Sequence, residues 1–469
     1  MRFLFLVLWG WSLLAWSAEP FTPLRLEPQP LQIRNAGAPD VALLCPRKGP
    51  SSVRPLAPPP EPTQIPDEDE VASALQDAPV ASGLQPVRPV PAWPSNPARG
   101  WRIAVWGDSH MAAAFFSDQL QRKLAPADAP VSSRFIHAGV GHGGVRGLVR
   151  KTCLSGEWAR EMAYAHADAA SAPGPGMTSL VAKRPGATLA LDLRDAQGQA
   201  RHTSLQVLYH GEGAGNTQLA ISVDGEAETL VSLDPQVGPG ALALQTTAPL
   251  STLKIRVVEG AFRFQGIKLS ETPAPATLHM DLFAYPGATA AGWVRSDLSY
   301  LASWFTDQSY DLALIAFGTN EGNDPRFNET AYRDTLTRAL GQFRQVFPQT
   351  QCVLIGPGDR GVRVVKSKAA KTSKKQAAQS KRSAKATSSA KLLKYAHIHA
   401  QIGQIQAEVA ALHACSAWSM QTAMGGVGSA YPWARKNPPL MAPDLLHFTP
   451  AGYRELANIF LADFGLNPP

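Results

Sequence analysis

Four short apolar runs constrain the fold of this chain more than any other feature of its sequence. They are Arg102–Trp106 (RIAVW), Met280–Tyr285 (MDLFAY), Asp311–Phe317 (DLALIAF) and Cys352–Gly356 (CVLIG). Each is too short for a helix and lacks the polar alternation of a half-solvated strand, so each reads as a strand buried on both faces. The first three stop at turn-forming segments: Gly107-Asp108-Ser109-His110, Pro286-Gly287-Ala288-Thr289 and Gly318-Thr319-Asn320-Glu321. Helical patterns follow. Met111–Leu124 places Phe116, Leu120 and Leu124 at helical spacing, Tyr332–Phe347 reads as a second helix, and another ends near His413 ahead of a last short strand, Cys415–Trp418. Thr449 and Pro450 stand as N-cap and first residue of a final helix through Phe464. Strands alternating with helices predict an α/β fold with a mostly parallel sheet covered on both faces.

Between the first run and the rest the texture changes. Leu189/Leu191/Leu193, Leu205/Val207/Tyr209, Leu219/Ile221/Val223 and Leu253/Ile255/Val257 alternate with small or polar residues, and Asp224-Gly225 is a hairpin signal. This predicts an all-β sandwich over 171–275, inserted into an α/β domain whose parts are 99–170 and 276–469.

Residues 1–18 read as an export signal: Arg2 is the charged start, Phe3–Leu14 the apolar stretch, and Ala15-Trp16-Ser17 a cleavage site. An uncleaved anchor helix is the alternative, and either predicts an exported, periplasmic or cell-envelope protein. Residues 19–98 read as a tether, with 13 prolines between Pro50 and Pro97. In an exported chain Cys45, Cys153, Cys352 and Cys415 can pair in three ways. If the strands beginning at Cys352 and Cys415 are parallel neighbours, a bridge between those two is feasible. Cysteine and histidine spacings match no metal motif, and His397-x-His399 reads as solvated helix.

The net charge of +7 is local. Residues 366–394 hold nine Lys, one Arg and no acid; without those ten charges, 34 basic residues face 37 acidic ones. A nucleic-acid groove on the folded body therefore has no support from charge. The Lys-rich segment, 362–394, reads as a disordered insert, with electrostatic attachment to anionic wall polymer or membrane surface as the functional alternative.

The chemistry lies in four segments, in the order Gly107-Asp108-Ser109, Pro286-Gly287, Gly318-Thr319-Asn320 and Asp444-Leu445-Leu446-His447. Ligands of open parallel sheets sit at the carboxyl ends of strands, where these segments can converge. A serine hydroxyl needs a base to become a nucleophile. His447 can take the proton of Ser109, and Asp444 can orient and stabilise the imidazolium. The backbone N–H groups of Ser109 and Gly287 and the side-chain amide of Asn320 are candidate oxyanion donors. A second glycine-rich loop, His137–Gly144, is a rival source of that donor. Gly287 is preferred because it follows a strand and lies 33 residues before Asn320, a gap that one helix and one strand can fill.

These ordered segments resemble the Ser, Gly, Asn and His blocks of the SGNH (GDSL) hydrolases at Ser109, Gly287, Asn320 and His447. His110 stands where the usual residue is Leu, a position that does not carry the reaction, and Asp108 belongs to the turn. The inserted sandwich, Gly287–Trp293, Met424-Gly425-Gly426 and Asp444–Tyr453 resemble bacterial peptidoglycan O-acetylesterases, whose SGNH domain is interrupted by a carbohydrate-binding-module-like domain. The resemblance implies a three-layer SGNH sheet and a serine esterase without metal or organic cofactor. The implied substrate is the acetyl on the C6 hydroxyl of N-acetylmuramic acid in cell-wall glycan. Acetyl transfer, another acetylated glycan, or a non-catalytic wall-binding role are the alternatives; oligomeric state is open.

Overall fold

The computed structural model describes residues 23–37, 43, 45, 63–76, 100–125, 131–165, 172–213, 216–270, 278–365 and 377–466, with the backbone alone at 365 and over 377–390. The export signal and residues 366–376 of the Lys-rich insert lie outside the described residues.

The apolar runs form one parallel sheet. In spatial order its strands are Ser416–Ser419, Gln351–Gly356, Leu312–Ala316, Trp101–Gly107, Leu278–Ala284 and Val131–Ser132. Alternate side chains of the central strand enter different cores, as strand geometry requires. Ile103 and Val105 pack with helices Phe115–Leu124 and Pro450–Asp463. Ala104 and Trp106 pack with helices Glu329–Val346 and Ala377–Leu412. Helix, sheet and helix make the expected three layers.

Chain order departs from spatial order at the middle of this sheet. The strand Trp101–Gly107 has Leu278–Ala284 on one side and Leu312–Ala316 on the other, and the chain passes from one neighbour to the other across it. Gly107 is level with both Ala284 and Ala316. The turns after all three strands therefore leave the sheet at one height, at a topological switch point. A Cβ on Gly107 would lie 2.8 Å from Met111 Cγ and 3.0 Å from the Ala316 carbonyl oxygen, so the close approach requires glycine.

The β-sandwich is present but begins earlier than the expected 171. One sheet runs Leu31–Ile33, Gly238–Thr246, Ser204–Gly211, Phe262–Leu269, Thr178–Ala182 and Ala159–Met162, with Phe135–His137 also paired to Phe262–Leu269. The other runs Thr229–Ser232, Gln218–Val223, Thr252–Glu259, Thr188–Asp192 and Lys151–Ser155. Lys151–Ser155 and Ala159–Met162 are edge strands. Of their side chains only Cys153 is buried, so they carry no apolar alternation to be read.

The tether is also corrected in its described parts. Leu31–Ile33 adds a parallel strand to the sandwich, and Thr63–Gln64 pairs with Val364–Val365. A helix, Glu68–Gln76, buries Val71 and Ala74 against Leu392, Leu393, Tyr431 and Leu445. The acidic knot is its capping box: Glu70 N–H donates to Asp67 Oδ1 (2.8 Å) and Asp67 N–H to Glu70 Oε2 (3.2 Å). The expected helix Met111–Leu124 is two helices, Ser109–Ala112 and Phe115–Leu124, separated at Ala114 (φ 63°). The insert expected to be disordered over 362–394 is helical from Ala377.

Two disulfides join the described cysteines, Cys45–Cys153 and Cys352–Cys415. The second links neighbouring parallel strands, since Gln351–Gly356 pairs with Ser416–Ser419. It closes a loop across 63 residues of sequence and is remote from the turns at the switch point. Replacing Cys352 and Cys415 with serine is expected to lower unfolding free energy by about 2–4 kcal/mol. Urea midpoints of the oxidised parent and the double variant measure this, and equal midpoints would contradict it.

Candidate active site

At the end of the central strand Asp108 caps the short helix Ser109–Ala112. Its side chain accepts from His110 N–H (2.9 Å), and its own N–H donates to the Ala316 carbonyl (3.1 Å). The Asp108 carboxyl is buried, and burial pushes its pKa up to about 6 against hydrogen bonds that include the Thr319 side chain. Asp108 thus links the Ser109 turn to the Gly318–Asn320 turn. Ser109, the next residue, presents its hydroxyl at the sheet rim.

The last segment arrives on a tight turn. Asp444 Oδ1 accepts from the N–H groups of Leu446 (3.1 Å) and His447 (3.0 Å). Leu445 takes φ 56° and buries its side chain beside Tyr431, which pins the turn to the body. His447 Nδ1 meets Asp444 Oδ2 at 2.8 Å, and His447 Nε2 meets Ser109 Oγ at 3.0 Å. The neutral imidazole suited to this series donates from Nδ1 to the carboxylate and accepts from the hydroxyl at Nε2. Burial would raise the Asp444 pKa, but hydrogen bonds from His447 and Leu446 outweigh it and hold the carboxyl well below its usual range. The hydrogen bond that His447 donates to Asp444 raises the pKa of His447 against partial burial.

Gly287 and Asn320 come from the two flanking strands. Gly287 has φ +84°, and the space where a Cβ would stand is open to 4 Å. Asn320 Nδ2 donates to the Ala288 carbonyl (2.8 Å), so one of its two amide hydrogens is committed to the Gly287 turn. The rival loop lies alongside. The space for a Cβ at Gly144 is filled by Pro286, 2.9 Å away, and Arg146 N–H donates to the Ala112 carbonyl (2.9 Å). The structure therefore brings Ser109, His447, Asp444, Gly287 and Asn320 to one rim, with His137–Gly144 forming a wall beside it.

Glu321 is the residue whose part sequence reasoning missed. Its Oε1 accepts from Ala290 N–H and its Oε2 from Gly318 N–H, each at 3.0 Å, which clamps the two flanking turns together. Burial raises its pKa to about 7. The available signal was a carboxylate directly after a buried strand with no cation in the same segment. His110 fills the usual leucine position as a buried, neutral ring. Its Nδ1 lies 3.1 Å from Tyr453 Oη, and burial lowers its pKa to about 3. His399, expected on a solvated helix face, is buried and donates from Nδ1 to the Gly358 carbonyl (2.7 Å), because that face of Ala377–Leu412 packs inward. Among the described residues, no group of three or more His, Cys, Asp or Glu side chains is placed to hold a metal ion.

No protein-family model matches the chain, and no curated protein matches its sequence. Solved structures do. A structure of a peptidoglycan O-acetylesterase superposes with a TM-score of 0.55 at 20% identity, over 79% of this chain and 91% of that one. A family two carbohydrate esterase from Clostridium thermocellum gives a TM-score of 0.24 at 10% identity, over 66% and 98%. A GDSL-like lipase from Parabacteroides merdae gives 0.27 at 14% identity, over 40% and 73%. The first likeness shows the fold: a three-layer α/β body with an added β-rich region, as the sequence led us to expect.

The Asp444–His447 bond makes a solution prediction. His447 titrates above the ordinary 6.5 because the carboxylate favours its protonated form. Asp444→Asn removes that charge, and the midpoint should fall. Following the His447 ring resonances against pH measures both values, and an unmoved midpoint would show that the pair is not coupled.

Proposed function

We propose that this chain is an exported serine esterase that removes O-acetyl groups from a cell-wall glycan. The favoured target is the C6 acetyl of N-acetylmuramic acid in peptidoglycan. The observation that carries the chemistry is the hydrogen-bonded series Asp444–His447–Ser109 at the sheet's switch point.

Ser109 Oγ attacks the acetyl carbonyl carbon while its proton passes to His447 Nε2. The imidazolium formed is stabilised by Asp444. The carbonyl electron pair moves onto oxygen, and the donors for that oxyanion are the N–H groups of Ser109 and Gly287 and the uncommitted amide hydrogen of Asn320. Collapse expels the sugar alkoxide, which takes the proton from His447. Water then attacks the acetyl-serine, His447 takes its proton and returns it to Ser109, and acetate leaves. Open space at Gly287 suits a backbone donor that must approach its substrate closely. Glu321 fixes the spacing of the two flanking turns before substrate arrives, which is where such donors gain their effect.

The substrate reading is supported by the peptidoglycan O-acetylesterase among the structural neighbours. Export is supported by the N-terminal sequence and by two disulfides, which persist in oxidising compartments. Ser109→Ala is expected to cut hydrolysis of a chromogenic acetate by at least about 10³-fold. Initial rates on the folded variant measure this; activity within a few-fold of the parent would end the assignment. Acetate release from O-acetylated peptidoglycan, compared with acetylated xylan, ranks the two glycans.

A further inference from the structure

The loop that leaves the sandwich strand Phe135–His137 passes the catalytic rim and re-enters the sandwich at Lys151. On the way it lines a cleft of about 420 Å³. Arg146, Arg150 and Lys151 lie on this lining, all exposed, and none of the lining residues is acidic. Among the described residues no carboxylate lies within ion-pair distance of these three cationic heads. Asp118 feels Arg146 but is shared with Arg122, and Asp192 is held by Arg194 at 2.7 Å. The Arg146 guanidinium rests 5.0 Å from the centre of the Phe115 ring. His142 also lines the cleft, with its pKa lowered by burial and by Arg160, so the positive charge is that of the three long side chains.

The cleft is already shaped. Arg160 donates to the Ala138 and Val140 carbonyls at 3.2 and 2.8 Å, and Gly144 N–H donates to His142 Nδ1 at 3.0 Å. The Arg146 N–H bond to Ala112 ties the loop to the helix that begins with Ser109. The bridge from Cys45 to Cys153 anchors the strand that carries Lys151. A preformed site avoids much of the ordering cost of binding. Three exposed cations around one concavity, with no carboxylate among its lining residues, raise the local concentration of anions.

We infer that this cleft is a subsite for carboxylates borne by the glycan, those of the peptides attached to a peptidoglycan strand. The placement rests on the esterase reading: while an acetyl ester sits at Ser109, the same strand extends past the helix Ser109–Ala112, and its acidic groups reach Arg146, Arg150 and Lys151. A neutral acetylated polymer makes no such contacts. The subsite therefore selects for charge, where the reacting centre sees only an acetyl ester.

The test measures binding without turnover, using the full chain with Ser109→Ala and soluble, de-O-acetylated peptidoglycan fragments that keep their peptides. Adding Arg150→Glu and Lys151→Glu is expected to weaken binding about tenfold. Blocking the fragment carboxylates as amides should weaken binding to the parent by a similar factor and add nothing in the charge-reversed protein. Arg150→Lys with Lys151→Arg should restore most of the affinity. Reversing Lys183 and Arg184, exposed on a sandwich turn, removes the same charge elsewhere and should leave affinity within about twofold. Equal affinity of parent and Arg150/Lys151 variant, or an equal loss on reversing Lys183 and Arg184, overturns the subsite. Acetate release by the native chain is read separately. A chain that binds carboxylates through the cleft yet releases no acetate keeps the subsite and loses the esterase reading; the converse result loses only the subsite.

Discussion

The arrangement depends on a backbone constraint: the parallel ladder that sets Gly107 level with Ala284 on one side and Ala316 on the other. Because three strands end at one height, the turns after them are forced into one small volume. Residues 109, 287 and 320 meet there although the sandwich separates the first from the other two. The fourth segment is not a strand end at all. His447 is delivered by a turn held by Asp444 and plugged by Leu445, so the imidazole is positioned by local hydrogen bonds and one buried leucine rather than by the sheet.

Carboxylates connect these turns in a consistent way. Asp108, Glu321 and Asp444 each accept backbone N–H groups; the first two join separate pieces of the rim, and the third braces its own turn. Burial raises the first two, and the second is pushed to about 7, so the clamp between the flanking turns carries its negative charge at little margin near neutral pH. Asp444 differs because it is half-exposed and paired with His447, which keeps it ionised. Similar side chains thus serve different purposes according to solvent and partner.

The sandwich is more than an insertion between two strands. Its core is separate, yet Trp304 Nε1 donates to the Pro173 carbonyl and Gln265 Nε2 to Tyr300 Oη, which fix it to the α/β body. The loop leaving it forms one wall beside the rim that holds Ser109. The N-terminal stretch adds a strand to it and is stapled to it by Cys45–Cys153. The wall it contributes beside the rim carries Arg146, Arg150 and Lys151, all exposed.

The sequence by itself determined the parallel sheet and the strand-end turns and named the residues proposed for acyl chemistry, because strands buried on both faces must be apolar throughout and a serine nucleophile needs a base and an orienting acid. It also carried the capping box at Asp67 and Glu70, unread because proline density dominated that stretch. Only the tertiary structure decided which edge strands joined the sandwich, since Lys151–Ser155 and Ala159–Met162 carry little burial and therefore little pattern. It alone showed Glu321 as a clamp, His399 as an interior residue and the cationic cleft whose loop is bonded to Ala112. Those are properties of groups distant in the chain and near in space, where burial and hydrogen-bond partners exist only after the sheet has set its register.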